Sequence, residues 1–462
     1  MDIGTSSVRA FEGMFDGERL ELKEFDRFYH TPVYTPVSVN WDMLGIYQNI
    51  EKMIRRAAVS GERVNSISLD SWGTDMVALN CRGELLTNGV GTQDRRFEGL
   101  KEKFFEIVPR HEIYERTGIQ FLNWNSLYLL YSIAQDEPRL AEAIDCLLFA
   151  PDYFIYMLTG EKMCDYTIAS TSQMLNPWSR SWDSELISAS GISPDKLLPP
   201  TPGRRVGITR ETGISLYSGC SHDTAAAVAG IPLQGEDELY LILGSWIMTG
   251  VELDDPVVTA MAESYNFSNE GGCNGRIRFL KNCMGMWLFQ ELQRFFSRKG
   301  IQISFEEMAK AGAAAEKFRS VIDVDAPGLR TSSDLPGTIK MMCHETGQQI
   351  PQTSGEVIKC IVNSIASKIT LNMKQLEKCT GKTIRVIRAV GGGSQNKQLC
   401  QVIADMTGCP VYAGPVEASG YGNLLTQLVF SGEAADYEQS REILRNSVSI
   451  KIYEPDSIYN WG

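Results

Sequence analysis

The chain lacks several features that would assign it to a functional class directly. Its 462 residues include only four histidines, which have no ligand spacing to one another or to the cysteines, so a zinc site is not expected. The sequence has no run of lysine or arginine, and the formal net charge of −13 argues against a nucleic-acid surface. It also has no long apolar run and no signal peptide, so we expect no membrane segment.

The cysteines give no sign of a disulfide framework. There are eleven of them, an odd number, and no Cys-x-x-Cys pair occurs. Cys146, Cys360 and Cys400 fall in apolar patterns typical of core helices or strands, where cysteine acts as a small buried hydrophobe. We therefore expect a reduced, cytoplasmic protein.

Length and composition predict a folded protein of more than one domain. Residues of hydrophobic type make up 43% of the chain and charged residues 22%, and 462 residues exceed what one ordinary core holds. The best linker is the segment 230–236, which reads Gly-Ile-Pro-Leu-Gln-Gly-Glu. We predict an N-terminal domain over residues 1–232 and a C-terminal domain over residues 233–462. Apolar residues at helical spacing predict amphipathic helices over residues 42–58 and 357–376, the second of them capped by Gly381.

A stretch from Tyr217 to Val228 contains the strongest catalytic candidate. Small residues lead into His222, Asp223 and Thr224, and an alanine-rich run then predicts a helix. A carboxylate at the start of a helix can stay ionised and accept a proton from a substrate hydroxyl. The alternative is a simple helix cap that opens a buried helix of small residues, and this pattern alone leaves both open.

Two glycine–hydroxyl turns in the chain predict phosphate-binding hairpins. Gly4-Thr5-Ser6 precedes a strand predicted from Val8, and Gly244-Ser245 joins strands predicted over 239–243 and 246–250. Such turns can surround a phosphate, and Asp2 is placed to hold a hydrated Mg²⁺. A frayed terminus is the alternative for the first turn. The matching positions in the two halves suggest an internal duplication.

Three further patterns bear on ligand binding. A βαβ unit is predicted by strand 384–390, the Gly391-Gly392-Gly393 loop and helix 395–406. The loop lacks the Lys-Ser/Thr of a P-loop, so we expect an adenine or ribose to lie against it instead of a phosphate. The segment from Lys281-Asn282 to Gln290 predicts the start of a helix. Trp72 beside Gly73 predicts either a wall for a sugar or a packed aromatic at a bulge.

Together these pieces match the needs of phosphoryl transfer, which are donors around the phosphates, Mg²⁺ and a carboxylate on the attacking hydroxyl. The chain resembles the FGGY carbohydrate kinases, and within them the group that acts on L-rhamnulose. The motifs that carry this resemblance over nearly the whole length are Asp2-Ile3-Gly4-Thr5-Ser6-Ser7, Ser71-Trp72-Gly73-Thr74-Asp75, Pro151-Asp152, Ala169-Ser170-Thr171-Ser172-Gln173, Ser221-His222-Asp223-Thr224-Ala225, Gly244-Ser245-Trp246, Leu280-Lys281-Asn282, Gly391-Gly392-Gly393-Ser394-Gln395-Asn396 and Gly414-Pro415-Val416-Glu417-Ala418 with Gly422-Asn423.

The resemblance implies an α/β fold with two ribonuclease-H-like domains of the actin/hexokinase ATPase type, an interdomain cleft, and ATP with Mg²⁺. It implies that Asp223 is the general base for the 1-hydroxyl of a ketose such as L-rhamnulose. The sugar contacts that it implies are Gly73, His222, Asp223, Thr224 and Asn282. The nucleotide contacts that it implies are Thr5, Ser6, Ser7, Val8, Arg9, Ser245, Gln290, Gly391, Gly392 and Gly393. Asp2 is the residue expected to hold the Mg²⁺.

Three departures from the family pattern keep alternatives open. The apolar strand that normally precedes Asp2 is missing. In the second hairpin Ser245 replaces the usual threonine and Leu243 replaces a small polar residue. Thr92-Gln93-Asp94-Arg95 stands where relatives have Tyr-Arg-Asp. A kinase for another ketose, such as L-fuculose or L-xylulose, is one alternative. A non-catalytic nucleotide- or sugar-binding relative is the other. The oligomeric state is left open.

Overall fold

The computed structural model describes residues 1–61, 63–315 and 317–456. The chain divides into two units that do not follow its order. Unit 1 contains Met1–Pro232, Glu252–Phe279 and Ala418–Ser447, and unit 2 contains Leu233–Val251, Leu280–Glu417 and the stretch from Val448. One unit boundary coincides with the predicted domain boundary after residue 232. Segments 252–279 and 418–447, which lie within the predicted C-terminal domain, pack in unit 1.

The elements of the chain are as follows. The strands before residue 233 are β1 (Asp2–Ile3), β2 (Ser7–Phe15), β3 (Leu20–Tyr29), β4 (Val33–Tyr34), β5 (Val39–Asn40), β6 (Ser66–Ser68), β7 (Asp70–Ser71), β8 (Met76–Leu79), β9 (Cys146–Phe149), β10 (Leu175–Asn176), β11 (Ser181–Trp182), β12 (Arg204–Ile208) and β13 (Ser215–Ser218). The helices there are α1 (Met43–Ala58), α2 (Leu100–Phe105), α3 (Arg110–Thr117), α4 (Ser126–Asp136), α5 (Pro138–Ala143), α6 (Ala150–Thr159), α7 (Tyr166–Ala169), α8 (Ser184–Ala189) and α9 (Asp223–Ala229). The later strands are β14 (Glu238–Leu243), β15 (Trp246–Leu253), β16 (Ser268–Gly271), β17 (Ile277–Met284), β18 (Val386–Val390), β19 (Val411–Ala413) and β20 (Lys451–Tyr453). The later helices are α10 (Ala260–Ser264), α11 (Trp287–Arg298), α12 (Phe305–Ala314), α13 (Pro327–Thr331), α14 (Leu335–Glu345), α15 (Ser354–Thr380), α16 (Lys397–Thr407), α17 (Ala418–Ser431) and α18 (Tyr437–Ser447).

In unit 1 the short strand β1 organises the sheet. It pairs antiparallel with β2 and parallel with β7, with Asp2 opposite Arg9 on one side and Asp70 on the other. The backbone N–H of Ser71 in β7 donates to Ser221 O at 2.9 Å. The segment that leads to α9 therefore lies on the far side of β7 from β1. The carboxylates of Asp2, Asp70 and Asp223 are close enough to act on one another.

The core of unit 1 follows from the amphipathic pattern of α1. Its buried residues are Met43, Ile46, Ile50, Met53 and Ile54, which recur at helical spacing on one face. Its N-cap side chain, Asp42, accepts a hydrogen bond from Gly45 N at 3.0 Å. The helix predicted over residues 42–58 is confirmed.

Because β1 has only two residues, it covers little of the nine-residue strand β2. A cavity of about 590 Å³ lies beside β2, and α17 contributes Asn423 and Leu424 to its lining. Phe11 of β2 and Ile67 of β6 also line it. The hairpin with a very short first strand, predicted from the sequence, is confirmed.

Unit 2 repeats the hairpin arrangement. Strand β14 pairs antiparallel with β15 and parallel with β18, which pairs parallel with β19. The predicted strand, glycine loop and helix correspond to β18, the loop from Gly391, and α16. The long predicted helix is α15, which starts with a capping box formed by Thr353 and Glu356 and ends at Gly381 in the left-handed region, at φ 70°.

One predicted element is wrong. Lys281 and Asn282 do not start a helix; they lie on strand β17, and the helix begins only at Trp287. Six of the eight residues of β17, including Ile277 and Phe279, are buried. A short, largely buried strand has no clear period, so the sequence could not separate it from the amphipathic helix that follows Gly285.

The expectation of fully reduced cysteines is wrong for one pair. Cys220 and Cys273 form a disulfide, with their Cα atoms 5.4 Å apart. The sequence offered no signal for it, because the two residues are 53 positions apart. The cysteines expected to be buried, Cys146, Cys360 and Cys400, are buried. Among the described residues, no helix is long and apolar enough to span a membrane.

Candidate active site

The candidate base, Asp223, is the first residue of α9. About a third of its side chain, 32%, is open to solvent, so a substrate hydroxyl can reach it. Burial of the rest, and then the like charge of Asp2, raise the pKa of Asp223 to about 7. Its Oδ1 accepts a hydrogen bond from Thr224 Oγ1 at 3.1 Å and lies 3.3 Å from His222 Nε2. A carboxylate poised near neutral pH suits a general base.

Gly73 lies against the histidine that precedes the base. A Cβ added to Gly73 would be 3.1 Å from His222 Nε2 and 3.4 Å from Thr171 Oγ1. The backbone N–H of Thr74, which has a φ of 70°, donates to Thr171 Oγ1 at 3.2 Å. Of the predicted sugar contacts, the structure thus brings Gly73, His222, Asp223 and Thr224 together in unit 1.

Trp72 and Asp75 form part of the packing behind this turn. Trp72 is only 6% exposed and packs on Trp41 at a ring-centroid distance of 4.4 Å. The indole N–H groups of Trp41 and Trp72 both donate to Asp75 Oδ2, at 2.6 and 2.7 Å. Burial raises the pKa of Asp75 to about 7. Of the two interpretations of Trp72, the packed aromatic is the one that this structure favours.

Two further carboxylates surround the base. Asp2 pairs with Arg9, and its Oδ2 also accepts from Ser419 Oγ at 2.7 Å. Asp70 is fully buried and accepts from Asn423 Nδ2. Burial, and then the charge of Asp2, raise the pKa of Asp70 well above its usual range. Sequence reasoning missed Asp70 and Ser419, which no local pattern links to Asp2.

The predicted phosphate turn of unit 1 joins β1 to β2. Thr5 and Ser6 are exposed, and Ser7 is half-buried at the start of β2. Gly4 N donates to Ser7 O at 2.9 Å, which closes the turn. The Val8 side chain is buried in the core, so it could offer a ligand only its backbone.

The second predicted phosphate turn lies in unit 2 against the start of α11. Ser245 is exposed, and its Oγ accepts from Gln290 Nε2 at 3.1 Å. Gly285 N donates to Ser245 O at 3.1 Å, and Met286 N donates to Gly244 O at 3.0 Å. The structure thus brings Ser245 and Gln290 together. Asn282 is half-buried on β17 and also belongs to unit 2.

The glycine loop of unit 2 has three positions with different surroundings. Gly391 has a φ of 83° and lies where a Cβ would be 3.1 Å from Leu243 O. A Cβ on Gly393 would be 2.7 Å from Leu243 Cβ and 3.1 Å from Met286 Cγ. Gly392 is exposed, with no protein atom within 4 Å of such a Cβ. The free face of the loop is therefore at Gly392.

These differences predict distinct results for two alanine variants. Gly393→Ala is expected to destabilise the protein by about 1–3 kcal/mol, because its methyl group overlaps Leu243. Gly392→Ala is expected to leave the free energy of unfolding unchanged within about 0.5 kcal/mol. If a nucleotide lies on this face, Gly392→Ala raises the KM for ATP roughly tenfold. Urea unfolding and ATP kinetics of both variants test this; equal effects of the two on stability would contradict it.

The fold and the placement of these groups define a class of protein. Each unit contains an antiparallel hairpin with a glycine–hydroxyl turn and a parallel strand beside it. A mixed α/β two-domain fold of this kind is that of the actin/hexokinase-type sugar kinases. Solved structures with this fold include the xylulose kinase of Rhodospirillum rubrum, at a TM-score of 0.80 and 17% identity, covering 99% of this chain and 93% of that one. Another is the glycerol kinase of Plasmodium falciparum with ADP, at a TM-score of 0.77 and 16% identity, covering 98% and 93%.

The chain belongs to the FGGY family of carbohydrate kinases. The model of the family's N-terminal domain matches residues 1–230, and that of its C-terminal domain matches residues 239–430. Among curated proteins, the rhamnulokinase of Bacteroides thetaiotaomicron is 35% identical over 470 residues, which cover 100% of this chain and 96% of that protein. The rhamnulokinase of Oceanobacillus iheyensis is also 35% identical, with coverage of 98% and 97%. The family resemblance inferred from the motifs is confirmed, and membership implies ATP as the phosphoryl donor.

Proposed function

We propose that this chain is an ATP-dependent kinase that phosphorylates the 1-hydroxyl of L-rhamnulose, giving L-rhamnulose 1-phosphate and ADP. The observation that carries the proposal is the solvent-accessible carboxylate of Asp223 at the start of α9, beside His222 and Gly73. Curated relatives of 32–36% identity over nearly the whole chain are rhamnulokinases, which supports the choice of sugar.

The proposed reaction is one displacement at phosphorus. Asp223 accepts the proton of the 1-hydroxyl as the sugar oxygen forms its bond to the γ-phosphorus of ATP. The bond from that phosphorus to the β,γ-bridging oxygen breaks, and ADP leaves with the bonding electrons. The sugar contacts that the family resemblance implies, and that we propose here, are His222, Thr224, Gly73 and Asn282. Ser245, Gln290 and the glycine loop hold the nucleotide, and residues 5–9 bind its phosphates.

The oxygen donors around Asp2 fit Mg²⁺. Oδ1 of the buried Asp70 has no hydrogen-bond partner among the described residues, and the charges of Asp2, Asp70 and Asp223 oppose one another. No group of three or more ligating side chains forms a ready metal site in the described chain. Mg²⁺ needs none, because it is usually held by one or two carboxylates, phosphate oxygens and water. When bound, it would neutralise phosphate charge, with Asp2 as the residue that holds it.

The pKa of the base predicts the pH dependence of the reaction. Asp223 titrates near pH 7, and only its ionised form can accept the proton. We therefore expect kcat/KM for the sugar to be level above about pH 8 and to fall roughly tenfold per pH unit below about pH 6.5. A pH profile of ADP release at low sugar concentration measures this. A profile that rises as the pH falls would assign the base to another group.

The experiment that tests the function is ADP release by the purified chain with ATP, Mg²⁺ and a panel of ketoses. We expect L-rhamnulose to give the highest kcat/KM, with L-fuculose and L-xylulose lower, because a missing or inverted hydroxyl leaves polar groups unpaired at about 1–3 kcal/mol each. Preference for another ketose would agree with the proposed mechanism but would show that the substrate is that ketose and not L-rhamnulose. No sugar-dependent ADP release would overturn the proposal.

A further inference from the structure

A fully buried arginine lies behind the histidine that precedes the base. Arg278, in the part of β17 that belongs to unit 1, has no exposed side-chain surface. Its Nε donates to Gly271 O at 2.9 Å, and its Nη2 donates to Glu270 Oε2 at 3.1 Å. The same Nη2 lies 3.1 Å from Nδ1 of His222. The guanidinium thus contacts both an acid and the imidazole.

This geometry determines where the imidazole proton sits. A guanidinium has five N–H donors and no acceptor, so Nδ1 of His222 must be the acceptor in its contact with Arg278. The single proton of the neutral ring is then on Nε2. That nitrogen lies 3.3 Å from Asp223 Oδ1 and faces the position of Gly73. The imidazole therefore presents an N–H group to the base and to the space in front of it.

Burial of the Arg278 guanidinium lowers the stability of the fold. Nη1 of Arg278 is buried and has no hydrogen-bond partner among the described residues. A buried charge with an unsatisfied donor is less stable than an apolar residue of similar volume would be. Glu270 offsets part of this cost, and Ser268 Oγ in turn donates to its Oε1 at 3.0 Å. Stability therefore does not explain why an arginine is buried here, and we look for its role in the site.

We propose that Arg278, held by Glu270, is a positioning residue that fixes His222 in its Nε2–H tautomer and directs that N–H towards Asp223 and the sugar. The proposal rests on the proposed function in that it takes Asp223 as the base. Burial, and then the charge of Arg278, hold the pKa of His222 well below its usual range, so the ring stays neutral throughout the working pH range. A charged ring would instead hold the carboxylate in an ion pair.

Removal of the guanidinium changes what the imidazole faces. The charged groups around His222 are Arg278 and Glu270 on one side and Asp223 on the other, with Asp2 and Asp70 acting on Asp223 from β1 and β7. In Arg278→Met, Glu270 Oε2, 3.7 Å from Nδ1, becomes the nearest partner of that nitrogen. This carboxylate favours a proton on Nδ1, so we expect the neutral ring to change to its Nδ1–H tautomer.

The test is ¹⁵N NMR of histidine-labelled protein, in which only four imidazoles must be assigned, by comparison with His222→Gln. In the wild type, we expect His222 as the Nε2–H tautomer with no titration between about pH 5.5 and 8.5. In Arg278→Met, we expect His222 to carry its proton on Nδ1, with kcat lower on the order of 10²-fold at pH 7. Arg278→Lys, which keeps a cation and a donor, is expected to restore part of kcat. Arg276→Met is the matched control, because Arg276 makes a partly exposed pair with Asp254 and is expected to change neither quantity.

A wild-type His222 that carries its proton on Nδ1, or that titrates near neutral pH, would overturn the proposal without any variant. An unchanged tautomer in folded Arg278→Met would do the same. The NMR result does not depend on turnover. If no ketose is phosphorylated but the tautomer is as expected, the proposed function fails and the positioning of His222 stands. If turnover is normal and the tautomer is wrong, the positioning role fails alone.

Discussion

The Asp223→Asn variant is expected to lose about 10²–10⁴-fold in kcat while it keeps its fold and its binding of ATP. The amide has the size of the carboxylate but cannot accept the proton of the sugar hydroxyl, and positioned general bases typically contribute a factor of this size. Stability should not fall, because Asp223 carries a raised pKa that reflects burial of its charge and repulsion by Asp2. The measurements are steady-state ADP release at saturating sugar and ATP, ATP binding by calorimetry, and thermal unfolding.

The matched control for this variant is Asp42→Asn. Asp42 is also an aspartate at the start of a helix, where it caps α1 through Gly45 N at 3.0 Å, but it is exposed. Its replacement is expected to leave kcat unchanged and to alter stability by only a few tenths of a kcal/mol, because asparagine is as good a cap. A near-normal kcat in Asp223→Asn would assign proton transfer to another group, and loss of ATP binding would mean that the variant is not a clean test of the base.

The Gly422→Ala variant is expected to destabilise unit 1 by about 3 kcal/mol or more, which lowers the unfolding midpoint by roughly 5 °C or more. A Cβ on Gly422 would lie 1.8 Å from Ala226 O and 2.7 Å from Gly230 N, so α17 and α9 cross at backbone contact. Neither partner is a flexible side chain that can turn aside. The helices must separate, and α9 carries Asp223 while α17 carries Asn423, so we expect kcat to fall as well.

Thermal unfolding and ADP release of the soluble fraction measure both parts of this prediction. Ser431→Ala is the control, because Ser431 is exposed at the end of the same helix and the change is expected to shift stability by less than about 0.5 kcal/mol. If Gly422→Ala unfolds at the same temperature as the wild type, α9 and α17 can separate without a loss of stability. The backbone crossing would then not be what sets the position of α9.

Local patterns were enough to identify much of the chain. Helices α1 and α15 were visible from apolar residues at helical spacing and from capping residues such as Asp42 and Gly381. The loop from Gly391 and the hairpin turn at Gly244-Ser245 were visible because glycine and hydroxyl residues there interrupt apolar runs. Patterns of this kind depend on residues that are close together in the chain, and the energies that create them are local. They failed at β17, a short and largely buried strand that has no clear period and is closely followed by helix α11.

Contacts between distant parts of the chain could not be predicted in the same way. Asn423 donates to Asp70 across 353 positions, Ser419 donates to Asp2 across 417, and Arg278 contacts His222 across 56. Each contact depends on where a whole helix or strand returns to the core. Periodicity says which face of an element is apolar, but not which other element covers it. The Cys220–Cys273 disulfide was missed for the same reason.

The sequence by itself determined the family, the two hairpins, the glycine loop and the candidate base, because turns, caps and short motifs need only neighbouring residues. Only the tertiary structure decided which carboxylates surround Asp223 and which residue sets the tautomer of His222. It also decided that segments 252–279 and 418–447 pack in unit 1. The physical reason is that burial and electrostatic coupling depend on distances in space. These distances arise when strands β1 and β7 and helices α9 and α17 assemble, and they shift the pKa of Asp223 to about 7.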